Sequence, residues 1–128
     1  MTRVLLVEDS ADVLYILKLG LEWMGYEVMA AADANSALEA ASKIRPDIIV
    51  SDLGMPEVDG FEFIKRARAI PGLALIPAIA LTGTALERVV KQALASGFTA
   101  HLMKPADAPD LAKKIDELTS RRLKRKAS

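Results

Sequence analysis

The sequence predicts an α/β fold in which five βα units surround one parallel sheet, and three observations support it. Short apolar runs alternate with longer stretches of helical period along the 128 residues, which is the pattern of repeated βα units. Three of the runs are nearly continuous in Val, Ile and Leu, as in strands that are covered on both faces. Polar side chains follow four of the five runs. A chain of this length fits one domain without disulfide or metal staples.

The apolar runs give five candidate strands. In chain order, the predicted strands are Arg3–Val7, Glu27–Ala31, Asp47–Ser51, Pro77–Leu81 and Thr99–Met103. Each is five residues long, an ordinary length for a strand in a globular protein.

Residues at helical spacing fill the stretches between the strands. The first helix carries Leu14, Leu17, Leu21 and Met24 in one stripe, and the fifth helix carries Leu111, Ile115 and Leu118. We expect each stripe to pack on the sheet. Trp23 and the methionines are interpreted as packing in the core or on helix faces.

Cap and turn residues mark several helix boundaries. They are Gly25 and Gly97 as C-caps, Pro46 after the second helix, and two capping boxes, Asp59 with Glu62 and Thr84 with Glu87. Each agrees with the boundaries set by the apolar pattern.

The composition excludes several classes of protein. The chain has no cysteine, so we expect no disulfide framework, thiolate nucleophile or sulfur-based zinc site. No apolar run reaches the roughly 18 residues of a membrane span, and the start lacks the features of a signal peptide. We therefore expect a cytoplasmic protein without a membrane contact.

Formal charge is balanced at 17 basic and 17 acidic side chains, but the basic ones are unevenly placed. Five of them form a C-terminal cluster, namely Arg121, Arg122, Lys124, Arg125 and Lys126. The prediction is a domain over residues 1–120, with a net charge of about −5, and a basic tail over residues 121–128. Because no helix-turn-helix unit remains to dock such a tail on DNA, a helix continuation or a partner contact is preferred over nucleic-acid binding.

The polar residues at the strand ends are Glu8 and Asp9 after the first strand, Asp52 after the third, Thr82 after the fourth and Lys104 after the fifth. Open α/β sheets bind ligands beyond the carboxyl ends of their strands, where the strand order reverses. In the flavodoxin-like order 2-1-3-4-5, a doubly wound (βα)5 sheet, the first and third strands meet at that point. The second strand, which offers no such residue, lies at an edge. The four strand ends are therefore expected to form one site.

Three carboxylates at neighbouring strand ends repel one another and need protons or a cation. Mg²⁺ prefers oxygen ligands and keeps several waters, so a few acids suffice, and Mn²⁺ is an alternative ion. Lys104 and the Thr82 hydroxyl supply the charge and the donor that a phosphoryl group needs. An acid in such a site can act as a nucleophile toward phosphorus.

Four blocks of the sequence resemble, in order and spacing, the signature blocks of response-regulator receiver domains. They are Val7–Ser10, Ser51–Gly60, Leu81–Gly83 and Met103–Pro105. The likeness covers roughly residues 3–118 and extends to chemotaxis-regulator-like receivers, either stand-alone or at the C-terminus of hybrid histidine kinases. Four blocks in register are far more specific than any one of them.

The resemblance implies a phosphorylation-dependent switch of a two-component or phosphorelay system. Asp52 is implied to accept a phosphoryl group from a histidine kinase or a histidine phosphotransfer protein. Glu8 and Asp9 are implied to hold Mg²⁺ together with Asp52 and the backbone carbonyl of Gly54. The resemblance further implies slow self-catalysed dephosphorylation, without turnover of an external substrate.

The remaining site residues also take their roles from the resemblance. Lys104 is implied to pair with the phosphoryl group, and Thr82 to swing toward it, helped by the N–H of Gly83. The bond between Lys104 and Pro105 is expected to be cis, which aims the lysine into the site.

One position departs from the family pattern. His101 stands where Tyr or Phe is usual, and it is interpreted as a partly buried filler of the switch position. Its charge would make the switch depend on pH between about 5.5 and 7.5. No second His or Cys accompanies it as a metal ligand.

Several of these residues also have a purely structural interpretation. Asp9 or Ser10 alone suits a helix cap, and Asp52 alone suits a turn. A docking module that keeps the fold but works without phosphorylation is the alternative function. The expected output is an unidentified effector protein or a homodimer through the fourth helix, fifth strand and fifth helix.

Overall fold

The computed structural model of the chain describes residues 1–127, with side chains described for residues 1–120. Five strands alternate with five helices. In order, the elements are β1 Arg3–Val7, α1 Ala11–Trp23, β2 Glu27–Ala31, α2 Ala34–Lys43, β3 Ile48–Asp52, α3 Gly60–Arg68, β4 Ala78–Thr82, α4 Glu87–Ser96, β5 Ala100–Met103 and α5 Ala108–Ala127. The side chains of the predicted basic tail, residues 121–128, lie outside the described residues.

All five strands pair in parallel in the order β2-β1-β3-β4-β5. The predicted fold class and strand order are thus confirmed. Val7 is the register partner of Ser51, and Asp52 is the register partner of Leu81. This register brings the ends of β1, β3 and β4 to one edge of the sheet.

The sheet lies between two hydrophobic layers. One layer packs side chains of α2, α3 and α4 on the sheet, with Phe63 and Ile64 fully buried. The other layer packs α1 and α5 on the opposite face. Because both faces are covered, every residue of β3 and β4 is buried, which explains their continuous apolar sequences.

The helix stripes are confirmed with one exception. In α5, Leu111, Ile115 and Leu118 are all buried. In α1, Leu17 and Leu21 are buried, but Met24 is the C-cap residue and is 44% exposed.

Three strands begin one residue later than predicted. β3 extends through Asp52 and β4 through Thr82, while β5 begins at Ala100. The later ends of β3 and β4 arise because backbone pairing continues through Asp52 and Thr82, and the N–H of Leu53 still donates to the carbonyl of Leu81 at 3.3 Å. The end of the apolar run therefore precedes the end of the strand by one residue.

Most of the predicted caps are confirmed. The Asp59 carboxylate accepts from the N–H of Glu62 at 2.9 Å. Gly25 and Gly97 have φ values of 97° and 132°, a backbone conformation that favours glycine.

The predicted capping box of Thr84 with Glu87 is wrong, because this structure does not contain it. α4 begins at Glu87 and its N-cap residue is Leu86. The Thr84 hydroxyl instead accepts from the N–H of Leu86 at 3.2 Å, within the loop.

Trp23 is not packed in the core or on a helix face, because its side chain is 92% exposed. It lies two residues after Leu21, which turns it to the far side of α1 from the sheet. Of the methionines, Met55 is buried, whereas Met1 and Met103 are 90% and 53% exposed. Among the described residues, no helix is both long and apolar enough to span a bilayer.

Candidate functional site

The polar residues at the ends of four strands meet at one edge of the sheet. Glu8, Asp52 and Thr82 are buried, with exposures of 1%, 6% and 3%. The Lys104 side chain reaches Glu8 and Asp52 from the end of β5 and stays one third exposed. The predicted convergence of the strand ends is therefore observed in the geometry.

Lys104 bridges two buried acids. Its Nζ atom lies 2.9 Å from Asp52 Oδ2 and 3.1 Å from Glu8 Oε1. Burial alone lowers the pKa of Lys104, but the hydrogen bonds and charges of Asp52 and Glu8 outweigh that effect and raise it. Lys104 is thus held as a cation against both carboxylates.

Glu8 is the most deeply buried acid of the site. Burial raises its pKa, although hydrogen bonds from the Ser10 N–H and from Lys104 act in the opposite direction. The Ser10 N–H donates to Glu8 Oε2 at 3.2 Å, and Ser10 is also the N-cap residue of α1. The start of α1 therefore fixes one oxygen of the buried carboxylate.

A cation fits the acidic cluster. Glu8, Asp9 and Asp52 each offer one carboxylate oxygen, and these oxygens lie within 4.8 Å of one another. Hard oxygen donors are what Mg²⁺ prefers, and Asp9 is exposed, so the cluster opens to water on that side. Asp52 Oδ1 also accepts from the N–H of Gly54 at 3.2 Å, which brings Gly54 to the rim of the cluster.

Two glycines leave the rim of the site open. A Cβ atom added at Gly54 or at Gly83 would meet nothing within 4 Å. The space next to these two glycines is therefore free of neighbouring side chains and backbone.

Thr82 is placed at the site, but its hydroxyl is engaged with the following loop. Its Oγ1 atom donates to the carbonyl of Thr84 at 2.9 Å and accepts from the Thr84 N–H at 3.1 Å. The side chain that was predicted to bind a phosphoryl group therefore holds the loop between β4 and α4 in this structure.

His101 is exposed, contrary to the interpretation of a partly buried residue. β5 is an edge strand whose residues alternate between half-buried and exposed, and His101 lies on the exposed side of that alternation. The bond between Lys104 and Pro105 is cis, as expected.

Gly60 was missed as a residue that shapes the site. A Cβ atom there would lie 2.3 Å from the Asp52 carbonyl oxygen and 2.7 Å from Leu53 Cα, and the Gly60 N–H donates to the Leu53 carbonyl at 2.9 Å. The first residue of α3 thus packs against the peptide that carries Asp52. In the sequence, the signal for this role was a glycine directly after the helix cap at Asp59.

An apolar groove adjoins the acidic cluster. It has a volume of about 580 Å³. Its lining includes the charged residues Glu8 and Lys104 and the apolar residues Val13, Ile16 and Pro105. Val13 and Ile16 are 39% and 65% exposed on α1. A protein surface that packs on this groove would lie next to Asp52.

The comparisons with known proteins agree with this geometry. The family model for the response regulator receiver domain matches residues 4–116. An uncharacterised 14.6 kDa protein of Leptolyngbya boryana is 40% identical over 89% of this chain and 87% of its own length. The transcriptional regulatory protein PrrA of Mycobacterium bovis is 35% identical over 94% of this chain and 51% of its own length. The chain therefore spans about half the length of that regulator.

Solved structures are similar as well. The chemotaxis protein CheY4 of Vibrio cholerae has a TM-score of 0.89 and 36% identity, over 92% of this chain and 98% of that chain. The receiver domain of the sensor histidine kinase PA1611 of Pseudomonas aeruginosa has a TM-score of 0.85 and 29% identity, over 93% and 98% of the two chains. In that structure a magnesium ion is coordinated in the active-site cleft.

Proposed function

Because this chain belongs to the response regulator receiver domain family, whose members are phosphoacceptor switches in two-component signalling, we propose that Asp52 is its phosphoacceptor. Three observations support this assignment. Asp52 is held by Lys104, shares a cluster of oxygen ligands with Glu8 and Asp9, and lies beside the open rim at Gly54. The contact between Lys104 and Asp52 carries the proposal, since it places a cation where phosphoryl charge would develop.

In the proposed transfer, a carboxylate oxygen of Asp52 attacks the phosphorus of a phosphohistidine. The new O–P bond forms as the N–P bond breaks, and the imidazole nitrogen leaves with the electron pair and takes a proton from solvent. Lys104 stabilises the negative charge on the phosphoryl oxygens. The Thr82 hydroxyl and the Gly83 N–H are the further donors that we assign to the phosphoryl group.

Receiver domains bind Mg²⁺ at their acidic site, and here Glu8, Asp9, Asp52 and the carbonyl of Gly54 would hold it. The ion supplies charge neutralisation between the carboxylate and the incoming phosphoryl oxygens. Mn²⁺ has the same preference for oxygen ligands and is proposed as a substitute.

Receiver domains interact with histidine kinases or phosphotransfer proteins, and we propose one of these as the donor here. The apolar groove between α1 and Pro105 supports this partner, because it adjoins Lys104 and Glu8. A donor that buries Val13 and Ile16 would bring its histidine to the open rim of the site.

The readout of the switch is also part of the proposal. We propose that the phosphorylated protein slowly dephosphorylates itself. Its output is an effector protein or a second copy of the chain, bound through α4, β5 and α5. We also propose a boundary near residue 120 between the domain and the basic tail. His101 lies on the exposed side of β5, within that surface. Nucleic-acid binding by the tail remains the less favoured role.

The first test measures intact mass after incubation with Mg²⁺ and acetyl phosphate. We expect a gain of one phosphoryl group in the wild type, and no gain in Asp52→Asn or after chelation of Mg²⁺. Asp59→Asn is the matched control, because Asp59 is a nearby acid whose amide analogue still caps α3.

If the wild type neither gains mass nor binds beryllofluoride with Mg²⁺, the proposal is contradicted. That result would favour the docking module that works without phosphorylation. The full set of Glu8, Asp9, Asp52, Thr82 and Lys104 argues against that alternative, since a module that never accepts a phosphoryl group has no need to keep an acidic cluster, a hydroxyl and a lysine together at the strand ends.

A further inference from the structure

Thr84 is bonded to Thr82 through both of its backbone polar groups. The Thr82 hydroxyl donates to the Thr84 carbonyl at 2.9 Å and accepts from the Thr84 N–H at 3.1 Å. If the hydroxyl turned elsewhere, one donor and one acceptor of Thr84 would lose their partners at once. Unpaired backbone groups are costly unless they find new partners or water.

The start of α4 is poorly capped in this structure. Its N-cap residue is Leu86, which has φ −56° and ψ 126° and a side chain without an acceptor. Leu86 is also 54% exposed, although it is apolar. Two residues earlier, the Thr84 hydroxyl already accepts from the Leu86 N–H at 3.2 Å. That bond is one that an N-cap residue makes to the N–H two positions later.

We propose that α4 has a second N-terminus, in which Thr84 is the N-cap and Ala85 the first helical residue, and that it forms when the Thr82 hydroxyl leaves Thr84. The inference rests on the proposed function only for the trigger, since a phosphoryl group on Asp52 is what would draw Thr82 away. The two starts of α4 are two states of the same segment, and any event that biases Thr82 shifts the population between them.

Both groups that Thr82 releases have a ready replacement in the longer helix. The Thr84 carbonyl would accept from the N–H of Arg88, which is the first bond of a helix capped by Thr84. The Thr84 N–H would donate to the carboxylate of Glu87, three residues on, which completes a capping box. The sequence pattern of Thr84 with Glu87 therefore describes the second state of α4 rather than the state in this structure.

Lengthening α4 breaks only one other interaction of Glu87 that the structure shows, an exposed ion pair. The Glu87 carboxylate now pairs with Lys91 at 2.8 Å, and both side chains are more than 70% exposed. An exposed pair of this kind contributes little to stability, so Glu87 can leave it. Ala85 and Leu86, which both precede α4 in this structure, must become helical, and for Leu86 this requires a rotation of ψ from 126° to a helical value. Leu86 then becomes part of α4, and the surface that α4 offers to a partner changes with it.

The decisive experiment needs no phosphodonor. Thr82→Val removes the hydroxyl but keeps the shape, so it frees Thr84 in the absence of Mg²⁺. By backbone NMR, we expect the Cα shifts of Ala85 and Leu86 to move toward helical values and the Arg88 amide to exchange about fivefold more slowly, the effect of roughly one cap. Unchanged shifts in α2 would show that the fold is intact.

Two further variants separate the cap from the loss of the hydroxyl. Thr84→Ala in the Thr82→Val background should abolish the extension, whereas Thr84→Asn should restore it, because Asn is a good N-cap. Two results would overturn the inference. One is Cα shifts of Ala85 and Leu86 that stay non-helical in Thr82→Val, and the other is a longer α4 that persists when Thr84→Ala is added.

The same signals also separate this inference from the proposed function. Beryllofluoride with Mg²⁺ should give the helical shifts in the wild type. If it fails while Thr82→Val succeeds, the second N-terminus stands and phosphorylation of Asp52 is not its trigger.

Discussion

Lys104 determines, at the scale of single residues, how two acids can stay buried side by side. Asp52 and Glu8 are almost inaccessible to water, and each has an oxygen within 3.1 Å of the ammonium group. Without a counter-charge, buried carboxylates take up protons or destabilise the fold. The lysine therefore has a structural task before any phosphoryl group arrives.

Replacing Lys104 by Met should destabilise the metal-free protein. Removing one member of a buried ion pair leaves unpaired charge, and because Lys104 is one third exposed we expect a loss of about 1–3 kcal/mol. The free energy of unfolding in urea, followed by circular dichroism in the presence of a chelator, measures this. Mg²⁺ should recover much of the loss and bind more tightly than in the wild type, because the competing cation is gone.

Lys43→Met is the matched control for this change. Lys43 pairs with Glu39 on α2, and both side chains are about 70% exposed. Its loss should cost less than about 0.5 kcal/mol and should not respond to Mg²⁺. Equal effects of the two variants would show that Lys104 does not neutralise the buried acids.

At the scale of elements, the start of α3 could be predicted from the sequence, whereas the start of α4 could not. Asp33 and Asp59 cap α2 and α3 with side-chain bonds to the N–H three residues on, and Asp59 was predicted from its spacing to Glu62. Thr84 has the same spacing to Glu87, but its N–H and its carbonyl are both bonded to the hydroxyl of Thr82, two residues earlier. Local pattern alone cannot tell which of two partners a backbone group takes.

Gly60→Ala should disturb both α3 and the acid that it supports. The added Cβ would clash with the backbone of Asp52 and Leu53 rather than with a flexible side chain, so we expect a loss of about 1–3 kcal/mol. Mg²⁺ affinity should fall as well, because the peptide carrying Asp52 must move.

Gly83→Ala serves as the control, since an added Cβ there meets nothing within 4 Å. It lies at the same edge of the sheet and should change stability by much less. Urea unfolding and Mg²⁺ titration of the two variants give the comparison, and similar losses in both would contradict the close packing at Gly60.

The cap of α2 should give a stability difference that depends on pH. Hydrogen bonds from Ser36 and Asn35 lower the pKa of Asp33 below its usual 3.8. A lowered pKa in the folded state means that the carboxylate stabilises the fold above about pH 4, and that this contribution is lost as the pH falls through the folded pKa. Asp33→Ala should therefore be destabilised at pH 7, by an amount that shrinks in acid.

Urea midpoints measured from about pH 7 down to about pH 3 test the prediction. Asp33→Asn should stay close to the wild type at pH 7, because an amide oxygen also caps a helix. A difference between wild type and Asp33→Ala that does not change with pH would show that the charge of Asp33 is not involved.

At the scale of the whole molecule, the strand order explains why the site could be predicted at all. Parallel strands place their carboxyl ends at one edge, so Asp52 and Lys104 meet although 52 residues of sequence separate them. The residue types at those ends were readable from the sequence. The direction of the Thr82 hydroxyl, the packing of Gly60 and the exposure of His101 were not. The hydroxyl has more than one available partner, the packing of Gly60 depends on the path of the loop between β3 and α3, and the exposure of His101 depends on the edge position of β5.

Arg68 is a second long-range feature that sequence periodicity did not indicate. Its guanidinium donates to the carbonyl oxygens of Leu73, Ile76 and Gly97, and thereby joins the end of α3 to the loop before β4 and to the C-cap of α4. Burial lowers its pKa. The side chain thus bonds three backbone carbonyl groups, two from the loop before β4 and one from the C-cap of α4.

Arg68→Met should lower the free energy of unfolding by about 2–4 kcal/mol, because three carbonyl groups lose a charged donor. Arg66→Met is the control, since Arg66 makes only an exposed pair with Glu62 among the interactions described. Urea unfolding of both variants decides the point, and a loss below about 1 kcal/mol in Arg68→Met would show that water replaces the guanidinium.

The exposure of Trp23 also decides how these measurements should be made. It is the chain's single tryptophan, and its indole is 92% exposed at the end of α1. Its fluorescence in the folded protein should resemble that of free indole in water and change little on unfolding, so an emission scan would understate the transition. The same exposure makes quenching by iodide a sensitive signal for any partner that covers the end of α1.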